Sequence, residues 1–341
     1  MANMDVFNQD AFSLISLSHA IDRMPYTPQF LGGLGIFQAE PVNNSTVWID
    51  ERDGAISLIQ TSPRGAAPKE LERDERKARP FKVPRLAKGS TLQANEIASL
   101  RAFGSETEQT VVMQEFMRRM DRVRNDVELT HENMRLGALQ GVVLDADGSV
   151  IYDYFDEFGI TPAADVEFAL NDDTADIAGT ARQMARSMAR SSKGALGPNA
   201  TIHALAGDNF YDLLINHPQV RQTYLNWSAS ADLRDQAAFG AFTYGGVTWH
   251  NYRGTDDNST VAVDVDEAQV FPIGGNGVFQ HIQAPFDEKI EYVGAPGQNT
   301  YAMTIRDLQR DFWVRGEIYS FPLFMCSRPE VLRKAVIAAG T

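Results

Sequence analysis

The stretch FGSETEQTVVMQEFMRRMDRVRNDVELTHENMRLGALQG, residues 103–141, carries the clearest helical pattern of the chain. Ser105 precedes Glu108 by three residues, which is the spacing of a capping box. Apolar side chains then recur at steps of three, four or seven residues and form one continuous stripe. The pattern predicts a single helix over about residues 105–139, roughly 45–50 Å long at ~1.5 Å per residue. A helix of this length is unusual within one domain.

The apolar stripe of this helix also identifies a candidate core. We predict that five of its side chains pack the helix across a sheet: Val112, Phe116, Met120, Val123 and Val127. His131 lies on the same stripe, and we interpret it as a hydrogen-bonded core histidine rather than a metal ligand.

Upstream, the stretch ISLIQTSPRGAAPKELERDERKARPFKVPRL, residues 56–86, has two short apolar runs separated by a long charged segment with almost nothing to bury. A compact chain of 341 residues has a radius of gyration of roughly 20 Å. A two-stranded ribbon with about ten residues per strand reaches ~30 Å, and alone it is marginally stable in water. The segment is therefore predicted to lie on a second, identical subunit, although a disordered charged loop remains an alternative.

The intersubunit contact would be made by the charged residues of this segment. They are Arg64, Lys69, Glu70, Glu72, Arg73, Asp74, Glu75, Arg76, Lys77 and Arg79. Their mixed signs could set the register and the choice of partner through charge pairing.

Weaker patterns place the remaining elements. Residues 45–59 alternate like a strand pair with a turn at Asp53-Gly54, and Asp147-Gly148 marks a second hairpin. Helices are predicted over residues 11–24, over about 174–194 and from Asp208 to just before Pro218. The second of these should bury Ile177, Ala181, Met184 and Met188. From residue 242 onward the chain is predicted to be mostly β, with a short helix at its C-terminal end.

Composition narrows the possible functions. The net charge of −14 and the pI near 4.9 argue against tight nucleic-acid binding, which needs Lys and Arg to displace counterions from phosphates. No apolar stretch approaches the length of a bilayer span, and the N-terminus lacks the pattern of a secretory signal. The single cysteine, Cys326, is expected to be a buried small hydrophobe. These features predict a cytoplasmic protein.

No motif in the sequence indicates catalytic chemistry. The six histidines are scattered in the sequence and no zinc-binding spacing is present. Residues 145–156 resemble a calcium loop, but Val150 stands where the invariant glycine belongs. We therefore expect no enzyme activity, no cofactor and no metal. Arg182, Arg186 and Arg190 form a basic stripe with two open interpretations, a solvated salt-bridged helix face or a contact with an acidic neighbouring subunit.

Several motifs along the chain carry a family resemblance. They include LGIF at 34–37, SPRG at 62–65, RAFG at 101–104 and LLINHPQV at 213–220. The most specific are HENMRLGALQGVVLDADGSVIYDYFDEFG at 131–159 and YSFPLFMCSRPEVL at 319–332. In these motifs the chain resembles the tailed-bacteriophage (lambda-like) major capsid protein E family. The resemblance implies an α+β, Hong Kong 97-type capsid fold.

Mapped onto this chain, the resemblance implies five regions. These are an N-terminal arm at 1–49, an E-loop β-ribbon at 50–92, a P-domain at 93–194 that contains the long spine helix, an axial A-domain at 195–300, and strands at 301–341 that return to the P-domain before a C-terminal helix.

The same resemblance implies a function. The expected function is self-assembly into the hexamers and pentamers of an icosahedral shell that encloses double-stranded DNA, with weak DNA binding and no membrane association. Scaffold, portal and decoration proteins are the expected partners, and assembly would occur in the host cytoplasm. Two alternatives stay open: a soluble enzyme or ligand-binding protein with a flexible charged loop, and a phage tail-tube subunit.

Overall fold

The structure is a computed structural model that describes residues 30–52, 76–96, 108–225, 241–252, 254–255, 261–275 and 277–338. Its helices are α1 (Phe30–Gly33), α2 (Glu108–Gln140), α3 (Tyr154–Phe158), α4 (Ile177–Ser191), α5 (Asp208–Asn216) and α6 (Pro218–Leu225). Two 3-10 turns cover Ile290–Tyr292 and Pro329–Val331.

The described strands are β1 (Gln38–Pro41), β2 (Thr46–Arg52), β3 (Arg76–Lys82), β4 (Leu86–Gln93), β5 (Val142–Leu144), β6 (Val150–Asp153), β7 (Val166–Phe168), β8 (Thr201–Ala206), β9 (Ala241–Tyr244), β10 (Val247–Asn251), β11 (Glu267–Ile273), β12 (Phe279–Gln283), β13 (Tyr301–Arg306), β14 (Trp313–Ser320), β15 (Pro322–Cys326) and β16 (Arg333–Ile337).

The predicted long helix is present as α2 and runs over 33 residues, within a few residues of the expected bounds. Its apolar face packs on an antiparallel three-stranded sheet in the order β13–β14–β4. Phe116, Met120, Val123 and Val127 are buried against this sheet, as the stripe predicted. Val112 lies in the helix, but its side chain and the Ser105 cap lie outside the described residues.

The largest sheet has six strands in the order β7–β16–β11–β8–β10–β9. Helices α4 and α5 share a hydrophobic core with it. The four side chains predicted to face inward from α4, namely Ile177, Ala181, Met184 and Met188, are all buried. The opposite side of the sheet contributes Leu205 and Phe271 to the main core.

A third sheet, β1–β12–β15, joins the two larger ones. Strand β1 pairs in parallel with β12, and β12 pairs antiparallel with β15. Its buried residues share one cluster with the C-terminal half of α2 and with the β5–β6 hairpin. The turn of that hairpin lies at the predicted Asp147-Gly148, where Gly148 has a φ of 82°. A positive φ of this size favours glycine because an L side chain would be strained there.

The predicted C-terminal helix is wrong. Residues 329–331 form only a 3-10 turn, and β16 follows it as a strand inside the six-stranded sheet. Pairing with β11 on one edge and β7 on the other satisfies its backbone groups, and Ala335 is completely buried. Long-range pairing therefore overrides the local helix pattern.

Packing also differs from three of the expected region bounds. Residues 86–93 belong to the sheet beneath α2 rather than to the ribbon. Helix α4 packs on the six-stranded sheet rather than with α2, since its buried face joins that core. Strand β16 likewise returns to the six-stranded sheet and not to the sheet beneath α2. The helix predicted over 11–24 lies outside the described residues.

Candidate assembly surfaces

The first candidate surface is the antiparallel ribbon of β2 and β3. Its register runs from Thr46 opposite Lys82 to Arg52 opposite Arg76, so the chain leaves and returns at adjacent positions around residues 53–75. The predicted Asp53-Gly54 turn and the strand after it lie outside the described residues, and the described partner of β2 is β3. Residues 53–75 therefore start and end at the same point on the body.

The base of the ribbon is fixed to the body of the subunit. Phe81 is completely buried and its ring lies 5.4 Å from that of Tyr152 and 6.0 Å from that of Phe158. Tyr152 donates a hydrogen bond to the Lys82 carbonyl at 2.7 Å and accepts one from the Lys82 amide at 2.8 Å. Because these contacts satisfy both backbone groups of Lys82, the ribbon leaves the body in a defined direction.

The predicted contact residues have different placements. Seven of the ten lie outside the described residues: Arg64, Lys69, Glu70, Glu72, Arg73, Asp74 and Glu75. Arg76 and Lys77 are in β3, but their side chains are not described. Arg79 is half-buried and its guanidinium lies 5.7 Å from the centre of the Phe158 ring of its own chain, so part of its contact is internal.

The ribbon carries an exposed tryptophan that is not among the ten predicted contact residues. Trp48, on the outward side of β2, is 65% exposed, although tryptophan rarely stays in water without a partner. Leu308 and Phe312 at the β13–β14 turn are also largely exposed. The alternation along β2 could have identified Trp48, because Val47 and Ile49 on either side of it pack on the core.

A charged network lies on the outer side of the sheet beneath α2. Arg85 forms an ion pair with Glu288 and lies 5.2 Å from the centre of the Tyr319 ring. Tyr319 donates to Glu317, which also pairs with Arg315 at 2.8 Å. Burial and the hydrogen bond to Glu317 raise the pKa of Tyr319 to about 12. The network thus ties β14 to the loop before the Ile290–Tyr292 turn.

A buried polar cluster joins α2 to α1. The Leu31 amide donates to Glu132 at 2.8 Å, and Glu132 lies 3.3 Å from Arg135. Burial raises the pKa of Glu132 despite these partners. Because Leu31 is itself almost completely buried, this cluster fixes residues 30–33 on the helix.

His131 is the hydrogen-bonded core histidine that the sequence predicted. It is completely buried, and its Nε2 lies 3.0 Å from the hydroxyl of Ser320. Ser320 donates its proton to the Asn299 carbonyl at 2.6 Å, so it accepts from His131. Burial lowers the pKa of His131, against the opposing effect of Glu128.

The six histidines are scattered along the sequence, but four of them lie in pairs in the fold. In the fold, the Nδ1 of His203 lies 2.9 Å from the Nε2 of His250, and the rings of His131 and His281 lie 6.1 Å apart. Burial lowers the pKa of His250 to about 4 and that of His281 to about 3. Two neutral imidazoles can share one hydrogen bond, which accounts for the contact between His203 and His250.

The cysteine and the metal-ligating side chains are the remaining groups to place in the fold. Cys326 is buried as expected, and burial raises its pKa to about 12, which leaves the thiol protonated and unreactive. Among the described residues, no three of His, Cys, Asp or Glu lie close enough together to hold a metal ion. None of the described helices combines the length and apolar character needed to cross a bilayer.

Residues 13–337 match the family model described as Phage major capsid protein E. The chain belongs to this phage capsid protein family. The β2–β3 ribbon and the exposed aromatic side chains accord with membership of a family of structural capsid proteins.

Relatives of similar length support the assignment. The chain is 26% identical over 353 residues to the major capsid protein of Salmonella phage Felix O1, covering 94% of this chain and 95% of that protein. It is also 26% identical over 327 residues to the major capsid protein of Pseudomonas phage KPP10, covering 89% and 91%.

Solved structures support the fold. The capsid of cyanophage P-SCSP1u has a TM-score of 0.52 at 9% identity, covering 93% of this chain and 91% of that chain. The mature capsid of bacteriophage PhiM1 has a TM-score of 0.52 at 12% identity, covering 93% and 89%. The expected α+β, Hong Kong 97-type capsid fold is confirmed.

Proposed function

We propose that this protein is the major capsid protein of a tailed phage and that its copies form the hexamers and pentamers of an icosahedral shell around double-stranded DNA. Family membership over residues 13–337 supports the shell function. The observation that carries self-assembly is the β2–β3 ribbon, whose strands meet at Arg52 and Arg76 with residues 53–75 between them. A segment of this charge and position has its natural partner on a neighbouring subunit.

Residues 53–75 are the distal part of the E-loop in this proposal. Arg64, Lys69, Glu70, Glu72, Arg73, Asp74, Glu75, Arg76 and Lys77 contact the neighbouring subunit, and Arg79 contributes from the base. The buried Phe81 and the paired backbone of Lys82 support this proposal because they hold the exit point of the segment in place. The exposed Trp48 supports it as well, since a neighbour would cover its ring.

We assign the proposed domains according to which helices and sheets share a hydrophobic core. Helix α2 with the β13–β14–β4 sheet corresponds to the P-domain, and the six-stranded sheet with α4 and α5 corresponds to the A-domain. Residues 30–49 hold the end of the N-terminal arm on the body, through the bond from Leu31 to α2 and through the pairing of β1 with β12. Rigid sheets of this kind suit a shell subunit, because each copy must present the same surfaces to its neighbours.

The protein has no enzymatic role and needs no cofactor in this proposal. It binds DNA weakly, because a net charge of −14 repels phosphates. Its expected partners besides itself are scaffold, portal and decoration proteins, and its assembly takes place in the host cytoplasm before it becomes part of the virion.

Electron microscopy and sedimentation of the purified protein test the proposal. The expected result is closed shells, or rings of five and six copies, at high protein concentration. A monodisperse 37.8 kDa monomer at every concentration and salt condition, with or without co-expressed phage head proteins, would contradict it. Stacked open tubes would instead support a tail-tube subunit.

A further inference from the structure

The outer face of α4 carries three exposed arginines, Arg182, Arg186 and Arg190, which we name the arginine face. They follow one another at four-residue steps, while Ala181, Met184 and Met188 on the other side of the helix are buried. Within the part of the chain that the structure describes, none of the three forms an ion pair.

This arrangement is unfavourable for an isolated subunit. Like charges one helical turn apart repel each other. A chain with a net charge of −14 has many carboxylates that could have been placed at i+4 positions to pair with these arginines, yet the face contains none. The cations are therefore available to carboxylates from outside the helix.

A complementary surface exists on the same unit of the chain. Asp212, Asp264 and Asp266 are exposed around the start of α5, with Asp208 half-buried beside them. Asn209 brings the two segments together by donating to Asp266 at 2.6 Å. Val265 is exposed between the two aspartates. We name Asp208, Asp212, Asp264 and Asp266 the aspartate surface; within the described residues, none of the four forms an ion pair.

The two surfaces lie toward opposite ends of the six-stranded sheet. The aspartate surface follows Ala206 at the C-terminal end of β8, where Ala268 is its partner. The arginine face begins beside the β9–β10 turn, because Gly245 lies against Ala178 and Ala181. That turn is next to Ile202 near the other end of β8, roughly 13 Å along the strand from Ala206 at ~3.3 Å per residue. Among the described residues, no ion pair joins the two sets of charges within one subunit.

We propose that the arginine face of one copy docks on the aspartate surface of an adjacent copy around the ring of a capsomer. Copies related by a rotation meet through two different surfaces, so a closed ring needs a patch and its complement at separate places on each subunit. Opposite charges at such places speed the encounter and exclude wrong orientations. The inference rests on the proposed function, since it requires rings of this chain.

Charge reversal tests the docking directly. In Arg182→Glu, Arg186→Glu and Arg190→Glu combined, like charges would face each other at every ring contact. The expected result is loss of rings and shells by electron microscopy, with an unchanged circular dichroism spectrum of the monomer because the buried side of α4 is untouched. Replacing the same three arginines with Gln should give a weaker loss.

Two matched single variants distinguish the effect of a charge's position from the effect of the protein's net charge. Arg186→Glu and Arg221→Glu change the net charge equally, and Arg221 is exposed on α6 outside the arginine face. Assembly monitored by light scattering should slow at least several-fold for Arg186→Glu and stay near wild type for Arg221→Glu. Equal slowing by both would overturn the proposal.

The decisive variant restores the charge pairing with its signs exchanged. Adding Asp212→Lys, Asp264→Lys and Asp266→Lys to the triple arginine reversal should recover rings that neither triple variant forms alone. Normal shells from the arginine reversal would overturn the proposal. Because wild-type protein is assembled in parallel, failure of the proposed function itself would show as absent shells in that sample.

Discussion

At the scale of single residues, Gly316 determines how closely the spine helix α2 approaches its sheet. A Cβ atom at this position of β14 would lie 2.3 Å from the sulfur of Met120 and 2.8 Å from the ring of Phe116. Both neighbours are buried on α2 and have little room to move. The absence of a side chain at this position therefore lets a strand and a helix make direct contact.

Gly316→Ala should lower the free energy of unfolding by about 1–3 kcal/mol, the usual cost of overpacking a core. Gly197→Ala is the matched control, because a Cβ atom there meets nothing within 4 Å. Urea unfolding of the monomer measures both. Equal stability of the two variants would mean that the contact between helix and strand is looser than the distances indicate.

Phe116 tests the same contact from the helix side. Its ring is 1% exposed and packs beside Val314 and Ile318. Phe116→Ala should cost roughly 3–5 kcal/mol, because the truncation removes apolar burial and leaves a cavity. A cost below about 1 kcal/mol in the same denaturation experiment would refute the assigned phase of the helix.

His281 should make stability depend on pH. Its folded pKa of about 3 is depressed by burial, whereas in the unfolded chain it lies near 6.5. At pH values between these two pKa values, His281 binds a proton in the unfolded state but not in the folded state. Stability is therefore fully present above pH 6.5 and is lost as the pH falls toward 3, with a slope of up to about 1.4 kcal/mol per pH unit from this group.

The variant His281→Phe keeps a ring that can stack on Phe324, which lies 4.2 Å away between ring centres, but it cannot bind a proton. Its unfolding free energy should decline less steeply from pH 6.5 to pH 4 than that of the wild type. Parallel curves for the two proteins would show that another group is responsible. Glu132 acts in the opposite sense, because its raised pKa favours the folded state at low pH.

At the scale of elements, the β2–β3 ribbon separates folding from assembly. Arg52 and Arg76 are paired directly, so Asn-Gly in place of residues 53–75 can close a two-residue hairpin. Thermal melting of the monomer should change little, because the ribbon is anchored at Phe81 and Lys82. Shell formation should be abolished, because every subunit loses the same contact.

The deletion variant is examined by circular dichroism and electron microscopy together. Normal shells would refute the E-loop contact. An unfolded monomer would instead show that residues 53–75 contribute to the subunit core, and their charged composition makes that outcome unexpected.

Elements whose signals are local were predictable from the sequence. The phase of α2 and the inward side chains of α4 follow from periodicity, because a helix repeats its own face whatever it packs against. The hairpin at Gly148 follows from its turn residues. Function was predictable through the family motifs rather than through any local chemistry.

Features that depend on long-range pairing were not predictable. The contact between His203 and His250 exists because β8 lies beside β10, a register that no local pattern encodes. Strand β16 was missed for the same reason, since its partners are supplied by residues far away in the sequence. The first strand of the predicted pair is present as β2. Its partner, however, is β3 and not the stretch of chain that directly follows Asp53-Gly54.

At the scale of the whole molecule, charge should control the rate of assembly. In Arg73→Glu, Arg76→Glu and Lys77→Glu combined, residues 70–77 lose all their basic side chains on a chain whose net charge is already −14. Assembly should be weakened more at low than at high ionic strength, because salt at 0.1 M screens exposed charges beyond about 10 Å. Light scattering at two salt concentrations measures this, and a defect independent of salt would point to shape rather than charge.

The position of β16 has a consequence for synthesis. Residues 333–337 lie between β7 and β11, so the largest sheet has a gap until the ribosome has passed them. During translation β7 and β11 each have an unpaired edge. Until β16 is made, these edges can form hydrogen bonds with strands of other chains. The sheet therefore closes only after residues 333–337 have been made, and a chain truncated before them would expose the edges of β7 and β11.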